Sequence, residues 1–111
     1  ITDLQSLGVA TVLAAGNNYD KQRVDFPACI TESIAVGSVG ERGNIENYSN
    51  GGPDLDFYAL GTYDTALGRA MGTSAATAAF AAYWAKNYKG TYQATHDNVK
   101  SLSKDLVVSV K

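Results

Sequence analysis

Apolar runs separated by glycine-rich breaks recur along the earlier part of the chain and predict short strands joined by turns. Continuous apolar, β-branched runs are typical of strands that are covered on both faces. Two such runs, Val9–Ala15 and Ser33–Val39, each end at a glycine, and Leu55–Leu60 predicts a third, shorter strand. The glycine-bounded segment 61–72 predicts a small hairpin.

The strongest helical signal covers Thr73–Lys89. This segment contains seven alanines and is apolar on nearly every side before Lys86. A helix that is apolar all round is typical of a buried position and not of a surface helix. We therefore predict a buried central helix, which Gly90 ends.

Weaker patterns occupy the two ends of the chain. Apolar residues at positions 1, 4 and 7, followed by Gly8, predict the last turns of a helix over Ile1–Leu7, so the sequence is expected to open inside a longer domain. Thr95 is predicted to be the N-cap of an amphipathic last helix, and Val107–Val110 to be a short terminal strand. Strands alternating with helices predict an α/β domain with a mostly parallel sheet over residues 1–111.

Composition and charge exclude several classes of protein. The 111 residues are 45% apolar and 18% charged, which is typical of a globular protein. A net charge of −2 argues against a nucleic-acid partner, and the longest apolar run, Ala78–Ala85, is far shorter than the roughly 20 residues of a membrane span. The single cysteine, Cys29, excludes an internal disulfide and a zinc cluster. No cofactor or metal site is predicted.

The segment Gly72–Ala76 (GTSAA) is the first candidate for chemistry. A glycine turn brings Ser74 to the first turn of the alanine-rich helix, where free backbone N–H groups favour developing negative charge. The simpler interpretation is that Thr73 or Ser74 is only the N-cap of a core helix. A phosphate-binding P-loop is excluded, because Thr73 stands where that motif needs lysine.

A nucleophile elbow of the Gly-x-Ser-x-Gly type fits no better. Ala76 replaces its second glycine, and no acidic residue separates Ser74 from the only histidine, His96. A second candidate is Asn17, which directly follows Ala14, Ala15 and Gly16 at the end of a predicted strand. Its side-chain amide can donate a hydrogen bond to an oxyanion; alternatively, Asn17 only tolerates an unusual turn conformation.

Taken together and in order, these segments resemble the C-terminal half of the catalytic domain of subtilisin-like serine proteases (the subtilase or peptidase S8 family). The resemblance extends over most of the chain, from about residue 1 to residue 106. A single GTSxA motif is weakly specific, whereas several ordered segments at compatible spacing are strongly specific. The matching segments are Ala14–Asn17, Phe26–Ala28, Ser33–Gly37, Tyr48–Asn50, Gly52–Asp56, Ala59 with Gly61, and Gly72–Ala76.

The resemblance implies roles for individual residues. Ser74 matches the family's nucleophile and Asn17 its oxyanion-hole asparagine. Ala14, Ala15 and Gly16 match one wall of the pocket that receives the residue before the scissile bond. The parental protein is then expected to be a serine endopeptidase acting on polypeptides, extracellular or in the cell envelope because the family is mostly secreted.

Several positions depart from the family pattern. The family's catalytic Asp and His precede its serine, but no histidine precedes Ser74 in this chain. Ala78 and Leu60 stand where the family usually has proline, the segment 61–72 is short, and Gly40 replaces an Asp found at one common calcium site. His96 is interpreted as a helix-start residue without a catalytic role.

Three interpretations therefore stay open. The first is a fragment of an active endopeptidase, which needs the missing N-terminal half of its own domain as partner. On its own this fragment is expected to be inactive and to self-associate through an uncovered apolar face. The second is a catalytically dead pseudo-protease or interaction domain on the same scaffold, and the third is an unrelated α/β hydrolase or binding domain.

Overall fold

A computed structural model describes residues 1–109 of the chain. The described residues form three helices and five strands. In chain order these are α1 (Thr2–Ser6), β1 (Val12–Ala14), β2 (Ile34–Val39), β3 (Phe57–Leu60), β4 (Thr62–Thr65), β5 (Gly68–Met71), α2 (Thr73–Lys86) and α3 (Tyr92–Leu102).

The main sheet contains β1, β2 and β3 in that order, and both of its strand pairs are parallel. Every residue of β2 is buried, as its mostly apolar sequence predicts. Because successive side chains of a strand point to opposite faces, Ile34 and Val36 pack in one cluster with Phe57 and Phe80, whereas Ala35 belongs to a second cluster. The predicted α/β fold with a mostly parallel sheet is confirmed.

Helix α2 packs against this sheet through only one of its faces. Ala76, Phe80 and Trp84 are buried, and the Phe57 and Phe80 rings stack at 5.0 Å. Among the described residues, the predicted buried helix is therefore buried on the side that faces the sheet. The opposite face of α2 is exposed at the surface of the described residues and consists mostly of alanine: Ser74, Ala78, Ala81, Ala82 and Ala85.

The ends of both long helices differ from the sequence prediction. Helix α2 ends at Lys86 and not at the predicted Lys89; its C-cap is Asn87, whose side chain donates a hydrogen bond to the Tyr83 carbonyl oxygen. Helix α3 starts one turn earlier than predicted. Its N-cap is Thr91, whose hydroxyl accepts a hydrogen bond from the Ala94 N–H at 3.2 Å.

The smaller elements follow their predictions with shifted ends. Helix α1 precedes Gly8, which has a positive φ of 86°. The first strand is limited to Val12–Ala14, and the predicted hairpin forms from β4 and β5, which pair antiparallel. In place of a terminal strand, Val107 makes one parallel bridge to Tyr58; the last residue of that prediction, Val110, lies outside the described residues.

Candidate active site

The loop after β1 and the first turn of α2 are joined by hydrogen bonds between Asn17 and Thr73. The Oδ1 atom of Asn17 accepts one hydrogen bond from the Thr73 backbone N–H at 2.9 Å and another from the Thr73 hydroxyl at 2.8 Å. The same hydroxyl accepts a hydrogen bond from the Gly16 N–H at 3.1 Å. Both candidate segments of the sequence therefore lie side by side in the fold.

This geometry also fixes the chemical role that remains for the Asn17 side chain. Because its oxygen is occupied by Thr73, its Nδ2 group is the part that is left to donate to another molecule. The backbone of Asn17 has no positive φ. Tolerance of an unusual turn conformation therefore does not explain why position 17 is an asparagine.

Ser74 lies in the first turn of α2, as the sequence predicts, and its side chain is exposed. The N-cap of the helix is Gly72, which has no side chain with which to satisfy the first-turn N–H groups. Among the hydrogen bonds within residues 1–109, none uses the Ser74 hydroxyl or the Ser74 backbone N–H. Neither Thr73 nor Ser74 is thus the N-cap.

Ala14, Ala15 and Gly16 form the strand end that leads into Asn17. Ala15 is fully buried, and its N–H donates to the Val36 carbonyl oxygen at 3.0 Å. Gly16 has a positive φ of 107°, and a methyl group built on its Cα would overlap the side chains of Asp25 and Asn50. Glycine is therefore required here both by backbone conformation and by space.

Asn50, which enters the sequence analysis only as the end of the matching segment Tyr48–Asn50, holds this loop in place. It is 1% exposed, and its Oδ1 accepts hydrogen bonds from the N–H groups of Asn18 and Asp20, each at 3.0 Å. Its Nδ2 donates to the Ala15 carbonyl oxygen at 3.2 Å, and its backbone N–H donates to the Gly16 carbonyl oxygen. Asn50 thus holds the chain on both sides of Asn17.

A small cavity of about 170 Å³ opens beside Asn17. It is lined by Asn17, Tyr48, Met71 and Gly72. The Tyr48 hydroxyl hydrogen-bonds with the Ser38 hydroxyl at 2.7 Å, which fixes the aromatic ring at one side of the cavity. The free amide of Asn17 and the start of α2 therefore border a space that a small group can enter.

His96 belongs to another part of the molecule. It lies within α3, beyond its first residues, and its ring packs edge-on against Phe57 with centroids 5.5 Å apart. Nearby, burial raises the pKa of Asp56, while the Ala35 N–H at 2.8 Å and the charge of His96 act in the opposite direction. His96 packs on the core and is a poor candidate for the base of Ser74.

Cys29 is a free, exposed thiol. Within residues 1–109 no three His, Cys, Asp or Glu side chains are grouped to hold a metal ion, and none of the helices there is long and apolar enough to cross a membrane.

A parallel sheet with a helix that starts beside an asparagine-bearing strand end defines an α/β domain of the subtilisin-like class. The chain belongs to the subtilase family, whose family model matches residues 2–106.

Individual relatives agree with this assignment. Over 59 residues the chain is 32% identical to the minor extracellular protease Epr of Bacillus subtilis (strain 168), a match that covers 53% of this chain and 9% of Epr. A cold-adapted subtilisin-like serine proteinase is 26% identical with a TM-score of 0.75, over 98% of this chain and 44% of that one. A mutant protease domain of PatA has the same fold, with 20% identity and a TM-score of 0.80, over 98% of this chain and 48% of that one. The chain thus spans less than half of each of these solved structures.

Proposed function

We propose that this chain supplies the nucleophile and the oxyanion hole of a serine endopeptidase whose catalytic Asp and His lie in a segment that the chain does not contain. The observation that carries the proposal is the pair of hydrogen bonds from Thr73 to Asn17, which joins the strand end to the helix turn that bears Ser74. Membership of the subtilase family supports the reaction class, because the relative Epr is named as a protease.

In this proposal the Ser74 hydroxyl attacks the carbonyl carbon of a peptide bond. Its proton passes to the histidine of the other segment, and the carbonyl oxygen becomes an oxyanion. The oxyanion accepts hydrogen bonds from the Asn17 Nδ2 and from the Ser74 backbone N–H. Collapse of the tetrahedral intermediate expels the amine and leaves an acyl-enzyme on Ser74, which water then hydrolyses.

The substrate, partner and location follow from the same proposal. The substrate is a polypeptide, whose residue before the scissile bond lies against Ala14, Ala15 and Gly16. The partner is the remaining, N-terminal half of the same catalytic domain. We place the parental protein outside the cell or in its envelope, since the relative Epr is named as extracellular.

The chain alone is inactive under this proposal. A serine hydroxyl is a weak nucleophile until a base removes its proton, and the only histidine packs on Phe57. A pseudo-protease is the second candidate, and it is favoured by Ala78 and Leu60, which replace two prolines usual in the family.

An active-site fluorophosphonate probe tests the proposal on the 111-residue chain and on the full-length protein that contains it. We expect labelling of the full-length protein at Ser74, loss of labelling in Ser74→Ala, and no labelling of the chain alone. A folded full-length protein that resists the probe would instead identify a pseudo-protease. Labelling of the purified chain would reveal a base within it and overturn the predicted inactivity.

A further inference from the structure

We propose that Asp25 is a specificity-determining residue, which gives the site a preference for Lys or Arg directly before the scissile bond. The inference rests on the proposed function, in which the strand end of Ala14, Ala15 and Gly16 forms one wall of the pocket for that residue. Asp25 is attached to this wall, since its backbone N–H donates to the Ala15 carbonyl oxygen at 2.8 Å.

The Asp25 carboxylate lies against the wall at Gly16. A methyl group on Gly16 would overlap this carboxylate, so the absence of a side chain at Gly16 makes room for it. A substrate side chain that runs along the wall past Gly16 therefore meets a carboxylate and not a hydrocarbon surface.

The charge of this carboxylate is not neutralised within the described residues. Both oxygens of Asp25 accept hydrogen bonds from the Asn18 side-chain amide, at 3.0 and 2.7 Å. An amide is neutral, and the ion pairs within residues 1–109 use the carboxylates of Asp20, Glu41 and Asp64 but not that of Asp25. Since two carboxylate oxygens offer about four acceptor positions, Asp25 retains capacity for a further donor.

A cationic side chain is the ligand that fits this arrangement. The guanidinium group of arginine donates to a carboxylate in a planar, bidentate geometry, and lysine provides a compact point charge. Their aliphatic stems suit the apolar surface of Ala14 and Ala15. A glutamate at the same substrate position would be repelled by Asp25, and a neutral side chain would gain nothing from its charge.

The test uses the full-length protein and two peptide substrates that differ only in having arginine or citrulline before the scissile bond. Citrulline keeps the shape of arginine without its charge. We expect kcat/KM for arginine to exceed that for citrulline by roughly tenfold, because hydrogen bonds between charged groups are the strong ones. In Asp25→Asn, which keeps the length of the side chain, we expect this ratio to fall to about one.

Asp3→Asn is the matched control, because it removes the same charge from an exposed residue of helix α1. It should leave the arginine-to-citrulline ratio unchanged, and all variants should label at Ser74 with an uncharged fluorophosphonate. An Asp25→Asn ratio equal to that of the unmodified protein, or a citrulline preference in the unmodified protein, would overturn this inference alone. A full-length protein that neither labels nor hydrolyses either peptide overturns the proposed function as well.

Discussion

The Asn17 side-chain oxygen and the Thr73 hydroxyl lie 2.8 Å apart, although 56 positions separate the two residues in sequence. The Thr73 hydroxyl donates to Asn17 while it accepts from the Gly16 N–H at 3.1 Å. One buried threonine therefore orients the asparagine and anchors the neighbouring backbone. This relationship turns the Nδ2 group of Asn17 away from intramolecular bonding, which is what an oxyanion donor requires.

Thr73→Val in the full-length protein is expected to lower kcat about tenfold with little change in KM. Valine has a similar shape but leaves the Gly16 N–H without its acceptor and removes one of the two hydrogen bonds to Asn17. Thr73→Ser keeps the hydroxyl and should retain most of the activity. Steady-state kinetics on one peptide substrate measures kcat and KM for both variants. A large loss in Thr73→Ser with full activity in Thr73→Val would show that the methyl group, and not the hydroxyl, matters at this position.

Asn50→Ala is expected to reduce the free energy of unfolding by about 2–4 kcal/mol, because the N–H groups of Asn18 and Asp20 lose their buried acceptor. Denaturant unfolding of the full-length protein measures the effect in a Ser74→Ala background, which prevents self-digestion. Asn47→Ala is the matched control, since Asn47 is exposed, and it should change stability by less than about 0.5 kcal/mol. A similar small change for Asn50→Ala would contradict its assigned role.

The sequence predicted the strands, and the position of Ser74 in the first turn of α2, because these depend on local patterns. Ser33–Val39 differs by one residue from the observed β2, since an apolar run bounded by glycine is specific for a buried strand. Asn50 was missed because its partners are 30 to 35 residues away in sequence, while its immediate neighbours resemble an ordinary turn.

The N-cap of α3 shows a different limit of prediction from sequence. The sequence pattern predicts Thr95 as the N-cap, but the structure uses Thr91. Thr95 is fully buried inside the helix, and its hydroxyl accepts a hydrogen bond from the Lys89 N–H at 2.8 Å. The burial of Thr95 and its hydrogen bond to the loop before α3 thus distinguish it from Thr91, although the two residues are of the same type.

Asp56→Asn should change how stability depends on pH. Burial raises the pKa of Asp56 above its ordinary value, so the folded state favours the protonated carboxyl. This stabilising effect is complete below the unfolded pKa and is lost as the pH rises through the folded pKa. Asparagine can still accept the hydrogen bond from the Ala35 N–H and carries no charge to desolvate.

The measurement is the difference in unfolding free energy between Asp56→Asn and its parent across the acidic range, in the same Ser74→Ala background. We expect the variant to gain stability relative to the parent as the pH rises from about 3 to neutral. Asp97→Asn, on the exposed side of α3, should show no such trend. A variant that instead loses relative stability with rising pH would mean that the charged form of Asp56 is the favoured one.

Ala82→Glu tests whether another segment of the protein covers the outer face of α2. Ala82 is exposed among the described residues and borders an apolar cavity of about 380 Å³ together with Leu60 and Tyr63. Under the proposed function this face is covered by the N-terminal half of the domain, and a buried, unpaired carboxylate costs several kcal/mol. We therefore expect Ala82→Glu to destabilise the full-length protein by about 3 kcal/mol or more and to reduce Ser74 labelling. Ala94→Glu makes the same change on the exposed first turn of α3 and should be nearly neutral. If both variants unfold at the same denaturant concentration as the parent, the alanine face of α2 is open to solvent in the full-length protein, and a pocket completed by a second half of the domain becomes untenable.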